Sequence, residues 1–272
     1  MGAGEKQDKQ GRYVQSLERA FDILEVMSKE GQPISISELS EKVNLKVSTV
    51  HRLLVTMVSR GFVQQNKEDN KYRLGLKLWE IGSAVLPPDV RATAKPVLEE
   101  LARSCEETIN LAVLDEHEVI YIDQVEPERR IVVKMFARTG NRGPAYATAS
   151  GKALLAYEPE EKLDRFIDKM KFEQFTTDTI TNREDLKQEL KRVKRDGYAL
   201  DWGELEEHIR CVAVPVFNHE NRAVAAISVS GVAARMSNSY AHNQILPEAR
   251  EAGRKISSGL GCIEPDFSLE DN

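Results

Sequence analysis

Residues 47–63 read VSTVHRLLVTMVSRGFV. Val50, Leu53, Leu54 and Met57 fall at i, i+3, i+4 and i+7, which predicts a helix with one apolar face. Its other face carries Ser48 and Arg52, flanked by Thr49 and His51. Gly61 stands where a helix-closing glycine belongs. Upstream, Ser35-Ile36-Ser37-Glu38 has the form of a capping box, a hydroxyl for the first backbone N–H groups and a Glu three residues on. It opens a short helix with Leu39 and Val43 inward, and Asn44 supplies the turn. Further upstream, Ser16 can cap a helix with Leu17, Ala20, Phe21, Leu24 and Met27 on its apolar side, ended by Gly31 and Pro33. Downstream, Phe62 to Gln65 and Lys71 to Leu74 flank the polar loop Asn66 to Asn70, a hairpin signal.

Three short helices and a basic hairpin predict a winged helix-turn-helix over residues 1–74. In that plan the start of the third helix meets base edges and the hairpin lies along phosphates. Lys46, Ser48, Thr49, His51 and Arg52, with Lys71 and Arg73 of the hairpin, are the candidate DNA contacts. A guanidinium suits a guanine or a phosphate, and hydroxyls suit either. A plain three-helix bundle at a protein interface competes, but a hydroxyl-rich basic face beside a basic hairpin favours double-stranded DNA.

The chain of 272 residues carries a formal net charge of −6, which on average argues against nucleic acid. The charge is divided unevenly. Residues 42–77 hold eight Lys or Arg and only Glu68 and Asp69 as acids, whereas residues 79–272 hold 25 basic and 34 acidic side chains. A basic N-terminal part on an acidic body is the asymmetry expected when one domain faces phosphates. A hydrophobic fraction of 41% excludes a disordered chain. Residues 1–10 lack the apolar run of a secretory leader, and no 18-residue apolar stretch exists, so a cytoplasmic, non-membrane protein is expected. Cys105, Cys211 and Cys262 are too few and too scattered for a disulfide framework or a zinc site, and the five histidines form no ligand pair. Neither a metal nor a cofactor is expected.

Leu74, Leu78, Ile81 and Val85 continue a helical stripe that Pro87-Pro88 must stop, predicting a linker helix over residues 75–90. An apolar linker in a DNA-binding protein suggests pairing of two copies on a palindromic site. A new stripe begins at Val90 and runs through Ala94, Leu98, Leu101 and Cys105. Beyond it, Ile109 to Leu114, Val119 to Gln124, Ile131 to Phe136, Cys211 to Phe217 and Ala223 to Ser230 read as strands. Ala149 to Tyr157, Glu160 to Met170, Arg183 to Arg195 and Asn243 to Leu260 read as helices. The fold class is therefore α+β, with an antiparallel-sheet effector-binding domain over residues 91–265 and a polar tail over 266–272.

Ser150-Gly151-Lys152 fails as a phosphate-binding loop, because Tyr146 and Ala153 occupy the places of the required Gly and hydroxyl. A cytosolic enzyme with Cys211 as nucleophile and His208 three residues away is the alternative function. A strand cysteine is more often a small buried hydrophobe, and residues three apart on a strand face opposite sides. A ligand site is favoured: Ser228 and Ser230 share a strand face, and Ser150 opens a helix whose N–H groups suit an anion.

Taken together, these segments resemble the IclR family of bacterial transcription regulators over residues 12–262. VSTVHRLLVTMVSRGFV and KYRLGLKLWEIG resemble its recognition helix and its wing-to-linker segment. ASGKALLA, GYALD, RCVAVPVF and AAISVSG follow in the family's order. The resemblance implies a small organic acid bound by the C-terminal domain, and dimers or dimers of dimers. It implies Asp201, Cys211, Ser228 and Ser230 as polar pocket residues, the Ser150-Gly151 backbone as the carboxylate's amides, and Met135 as an apolar wall. His208 departs from it, standing where the family usually has Gly. ETINLAVLDEHEVIYI and GRKISSGLG look most like the branch that represses pectin and hexuronate catabolism and responds to 2-keto-3-deoxygluconate.

Overall fold

The structure is a computed structural model that describes residues 14–66, 68–82, 88–127 and 135–263. Tertiary contacts divide the chain into two units, Met1–Pro87 and Pro88–Asn272.

In the first unit, α1 (Gln15–Glu30), α2 (Ile36–Lys42) and α3 (Val47–Ser59) precede the hairpin β1 (Val63–Gln65) and β2 (Tyr72–Leu74). The capping box forms as expected: Ser35 Oγ accepts from the Glu38 amide, and the Glu38 carboxylate accepts from the Ser35 amide. Asn44 takes φ 51° in the turn, and the Ser40 hydroxyl donates to the Leu45 carbonyl across it. The core gathers Ile23, Met27, Leu39, Val50, Leu54, Met57, Val63 and Tyr72. Two details of α1 differ from expectation. Val14 is its N-cap and Ser16 lies inside the helix, and Ile23 is buried beside the expected Met27 while Leu17 and Phe21 are exposed.

The hairpin closes on a pair of glycines. A Cβ on Gly75 would lie 2.1 Å from the Gly61 carbonyl oxygen, so only glycine lets the two chains pass. Leu74 pairs with Val63 in the hairpin, so the helix that follows starts later than expected, as α4 (Lys77–Gly82). Residues 83–87 lie outside the described residues, as do residues 131–134 of the expected third strand and the tail. Met135 and Phe136, at the end of that expected strand, are not in one.

The second unit begins with α5 (Pro88–Cys105). Six strands follow: β3 (Thr108–Asp115), β4 (Glu118–Val125), β5 (Arg142–Pro144), β6 (Ala199–Trp202), β7 (Ile209–Phe217) and β8 (Ala223–Val232). They form one antiparallel sheet in the order β5-β4-β3-β8-β7-β6. Between β5 and β6 come α6 (Ala149–Leu155), α7 (Glu160–Lys169) and α8 (Arg183–Asp196); α9 (Asn238–Tyr240), a π-helical stretch Ala241–Ile245 and α10 (Leu246–Gly259) end the domain.

Strand alternation sends two sets of side chains to opposite faces. Ile109, Leu111, Val212, Val214, Ile227 and Val229 bury against α5 and α10. Ala112, Ala199, Ala213 and Ala226 line the other face, small enough for α6 to lie close. Gly151 tightens that contact: a Cβ there would meet the Ala145 backbone at 2.2 Å. No helix among the described residues is long and apolar enough to cross a membrane.

Candidate functional site

The DNA-facing candidates stand on α3 and the hairpin. Lys46 is the N-cap of α3, with extended backbone. Ser48, His51 and Arg52 are exposed on its first turns, and Thr49 is half-buried. Lys71 and Arg73 are exposed on the hairpin, where Arg73 Nε donates to Gln64 Oε1 at 3.2 Å across the strands. Lys42 and Lys77 are held by Glu30 and Glu80, at 2.7 and 2.6 Å. Among the described residues no ion pair engages Lys46, Arg52, Lys71 or Arg73. The first unit thus offers an exposed cationic helix start and a cationic hairpin.

The second unit holds a cleft between the start of α6 and the sheet. Met135, Ser150, Asp201, Cys211, Ser228 and Ser230 all line it, together with Tyr121, Phe136, Leu205 and Glu206. Cross-strand register assembles the polar wall. Asp201 pairs with Cys211, Cys211 with Ser230, and Ala213 with Ser228. The Cys211 thiol donates to Ser230 Oγ at 3.1 Å. Gly151 stands apart from this group: it does not line the cleft, and its amide is bonded to Thr148 Oγ1 at 3.1 Å, the cap of α6. The free cavity is about 20 Å³, room for roughly one water.

Asp201 is almost wholly buried. Its Oδ1 accepts from the Gly203 and Glu204 amides at 3.2 and 2.7 Å. Burial pushes its carboxyl up to about 7; neighbouring Glu204 adds to this and Lys152 opposes it. Sequence reasoning missed the groups behind the wall. Lys152, on α6, is 1% exposed and pairs with the carboxylates of Glu204 and, at 3.6 Å, Glu189. Asn110 and Gln124 form a hydrogen-bonded chain reaching Ser230. Glu206 accepts from the Phe136 amide at 2.8 Å, tying the rim to the β6–β7 turn. His208 is exposed in that turn, with no left-handed backbone, and does not line the cleft.

Comparison with known families matches residues 16–67 to the IclR helix-turn-helix domain and residues 83–258 to the bacterial transcriptional regulator IclR C-terminal domain. The chain belongs to the IclR family. It is a DNA-binding transcriptional regulator, as its α+β effector domain behind a helix-turn-helix led one to expect. Two Escherichia coli K12 regulators are similar to it. XynR is 38% identical over 91% of this chain and 98% of its own, and KdgR is 37% identical over 96% and 98%. An IclR homologue from Microbacterium hydrocarbonoxydans, crystallised with 4-hydroxybenzoate, has the same fold. It is 27% identical, with a TM-score of 0.79, over 90% of this chain and 98% of that one.

In this IclR-family regulator Cys211 lacks the environment of a nucleophile. Burial, and then the adjacent Asp201, raise its thiol well above the ordinary range, so the sulfur stays protonated. His208, its supposed base, is exposed in the preceding turn.

The raised carboxyl of Asp201 carries a pH prediction. With a folded-state value of about 7, above the ordinary carboxylate range, Asp201 is mostly neutral at pH 6 and mostly ionised at pH 8. An acid entering the cleft meets a hydrogen-bond donor at the lower pH and a like charge at the higher. The affinity of any small carboxylic acid that occupies this cleft should fall about tenfold from pH 6 to pH 8, the ratio of the neutral fractions. Asp201→Asn, which mimics the neutral form, should flatten the profile. Calorimetric titration at the two pH values tests this, and an equally steep profile in the variant would remove Asp201 as its source.

Proposed function

We propose that this chain is a cytoplasmic repressor of a carbohydrate or organic-acid catabolic operon, without enzymatic activity. It binds a palindromic operator as a homodimer or dimer of dimers. Its effector is a small organic or sugar acid of the 2-keto-3-deoxygluconate kind. The observation that carries the effector assignment is the convergence of Ser228, Ser230, Asp201 and Ser150 on one cleft. Two hydroxyls and a helix start suit a carboxylate or keto oxygen, and a buried, readily protonated Asp201 suits a hydroxyl further along the ligand. Met135, Phe136 and Tyr121 supply apolar wall for the carbon skeleton. The homologue crystallised with 4-hydroxybenzoate, a carboxylate with a distal hydroxyl, supports this class.

The small free cavity bears on mechanism. A sugar acid can enter only if the walls part, so it binds a wider arrangement better than the one seen here, and that difference in affinity is what shifts the equilibrium. The DNA-binding assignment rests on the exposed cationic start of α3 with Lys46, Ser48, Thr49, His51 and Arg52, and on Lys71 and Arg73. Self-association is supported by apolar side chains exposed in the first unit, Leu17 and Phe21 on α1 and Ile81 on α4. The repressor assignment rests on the likeness to the pectin and hexuronate branch.

Ser228→Ala combined with Ser230→Ala should weaken 2-keto-3-deoxygluconate binding roughly 10- to 100-fold, the loss of two hydrogen bonds to a charged or keto group. Operator affinity without effector should not change. The measurement is thermal shift against acid concentration, with a gel-shift control; a double variant that responds like the wild type would place the effector elsewhere.

A further inference from the structure

Asn110 and Gln124 do not line the effector cleft, yet the hydrogen-bond chain they form fixes the direction of the hydroxyls that do. Gln124 Nε2 lies 2.6 Å from the Ala137 carbonyl oxygen, which can only accept. That contact identifies the amide end of Gln124 and settles its orientation. The same Nε2 lies 2.9 Å from Asn110 Oδ1, so the other end of Asn110, its NH2, must point the opposite way. It does so toward the serines, with Nδ2 3.1 Å from Ser230 Oγ and 3.5 Å from Ser228 Oγ. Asn110 is fully buried, and Ser228 and Ser230 nearly so. Strand register supports the arrangement, since Asn110 is paired with both Ser228 and Gln124.

A serine hydroxyl has one proton to give and two lone pairs to receive with. Ser230 Oγ receives from Asn110 and from the Cys211 thiol, and Ser228 Oγ receives from Asn110. Among the described residues no oxygen accepts from either hydroxyl, and the Cys211 sulfur beside Ser230 is only a weak acceptor. Both protons are therefore left to donate into the cleft. We propose that Asn110, locked by Gln124, is a positioning residue that makes Ser228 and Ser230 a pair of donors. The cleft thereby selects effectors that present to the pair a keto oxygen, which is unable to donate, over analogues that present a hydroxyl at the same place. This rests on the effector assignment of the same cleft and adds to it the polarity of its sheet wall.

The polarity can be inverted without changing shape. Asn110→Asp keeps an oxygen for Gln124 but turns the NH2 into a second acceptor, which draws the serine protons away from the cleft and leaves lone pairs facing the ligand. Gln124→Leu removes the lock and lets Asn110 turn over. The test uses two acids of equal charge, 2-keto-3-deoxygluconate and its 2-hydroxy reduction product. Their affinities for the full-length protein are measured by calorimetry. Because both carry one carboxylate, the charge introduced by Asn110→Asp cancels in the ratio. The wild type should prefer the keto acid about tenfold, and Asn110→Asp should bring the ratio to two or below. Gln124→Leu should give an intermediate ratio, and it serves alone if Asn110→Asp does not fold. A folded variant of either kind that binds both acids with the wild-type ratio overturns the donor-pair proposal and leaves the effector site standing. A wild type that binds neither acid, or a Ser228→Ala/Ser230→Ala protein that binds both unchanged, overturns the effector assignment and the proposal with it.

Discussion

Arg52→Ala is expected to weaken sequence-specific operator binding strongly while leaving the fold intact. Arg52 is exposed on the first turns of α3, on the side opposite the buried Val50, Leu54 and Met57. No ion pair among the described residues ties it down, and only its backbone carbonyl is engaged, by Thr56 Oγ1 at 3.2 Å. The side chain is thus available to a base edge or a phosphate. A bidentate arginine–guanine contact contributes about 1–3 kcal/mol of discrimination, so the loss should be roughly 5- to 150-fold on the preferred sequence. On unrelated duplex, which senses mainly charge, the loss should be far smaller. The melting temperature should hold, because an exposed side chain leaves no cavity. The measurement is a gel-shift titration with a duplex that the wild type enriches from random-sequence DNA, alongside a scrambled competitor. Unchanged affinity for the enriched duplex would remove Arg52 from the contact surface.

Lys152→Met is expected to have the largest effect on stability. The ammonium of Lys152 is buried on α6 between Glu204 and Glu189, and burial raises the Glu204 carboxyl even with Lys152 beside it. Among the described residues Glu204 Oε2 already lacks a hydrogen-bond partner. Methionine keeps the length of the stem but strands that carboxylate, and breaking one partner from a buried pair costs about 3–5 kcal/mol. For a unit of this size the melting temperature should fall by roughly 10 °C. Adding Glu204→Gln should recover much of the loss, since a neutral amide tolerates the site better than an unpaired charge. Calorimetric melting of wild type, single and double variants decides it: a single variant as stable as the wild type would show that the pair contributes nothing.

The elements that were legible in the sequence are those with local signatures. The period of Val50, Leu54 and Met57, the Ser35–Glu38 box and Gly61 gave α2 and α3 their place, and the two long hairpins of the sheet were marked by β-rich runs around polar turns. What failed locally was a choice between equals. Helix α1 offers Leu17 and Phe21 as well as Ile23 to continue the face of Met27, and packing against α2 and β2 selects Ile23. Ser16 looked like a cap because serine is a common one, but Val14 already holds the extended backbone. Strand β6 is four residues long and contains a buried Asp, too short and too polar for periodicity to find.

Six of the seven residues expected around the effector do meet at the cleft: Asp201, Cys211, Ser228 and Ser230 because their strand positions share one face, with Ser150 from α6 and Met135 from outside the sheet. The exception, Gly151, is placed by close packing rather than by a ligand. Lys152 gave no sign of its burial, since its partners lie far along the chain. Asn110 and Gln124 were silent for the same reason: their meaning comes from partners brought together by the order of β4, β3 and β8.

Control of DNA binding by an acid held in the C-terminal domain is tested most directly by measuring operator affinity of the full-length protein with and without saturating 2-keto-3-deoxygluconate. The expected result is a change of roughly 5- to 150-fold, the size of a typical coupling between two sites, and its loss in the Ser228→Ala/Ser230→Ala protein. Identical affinity with and without the acid, under conditions where calorimetry shows the acid bound, would contradict it.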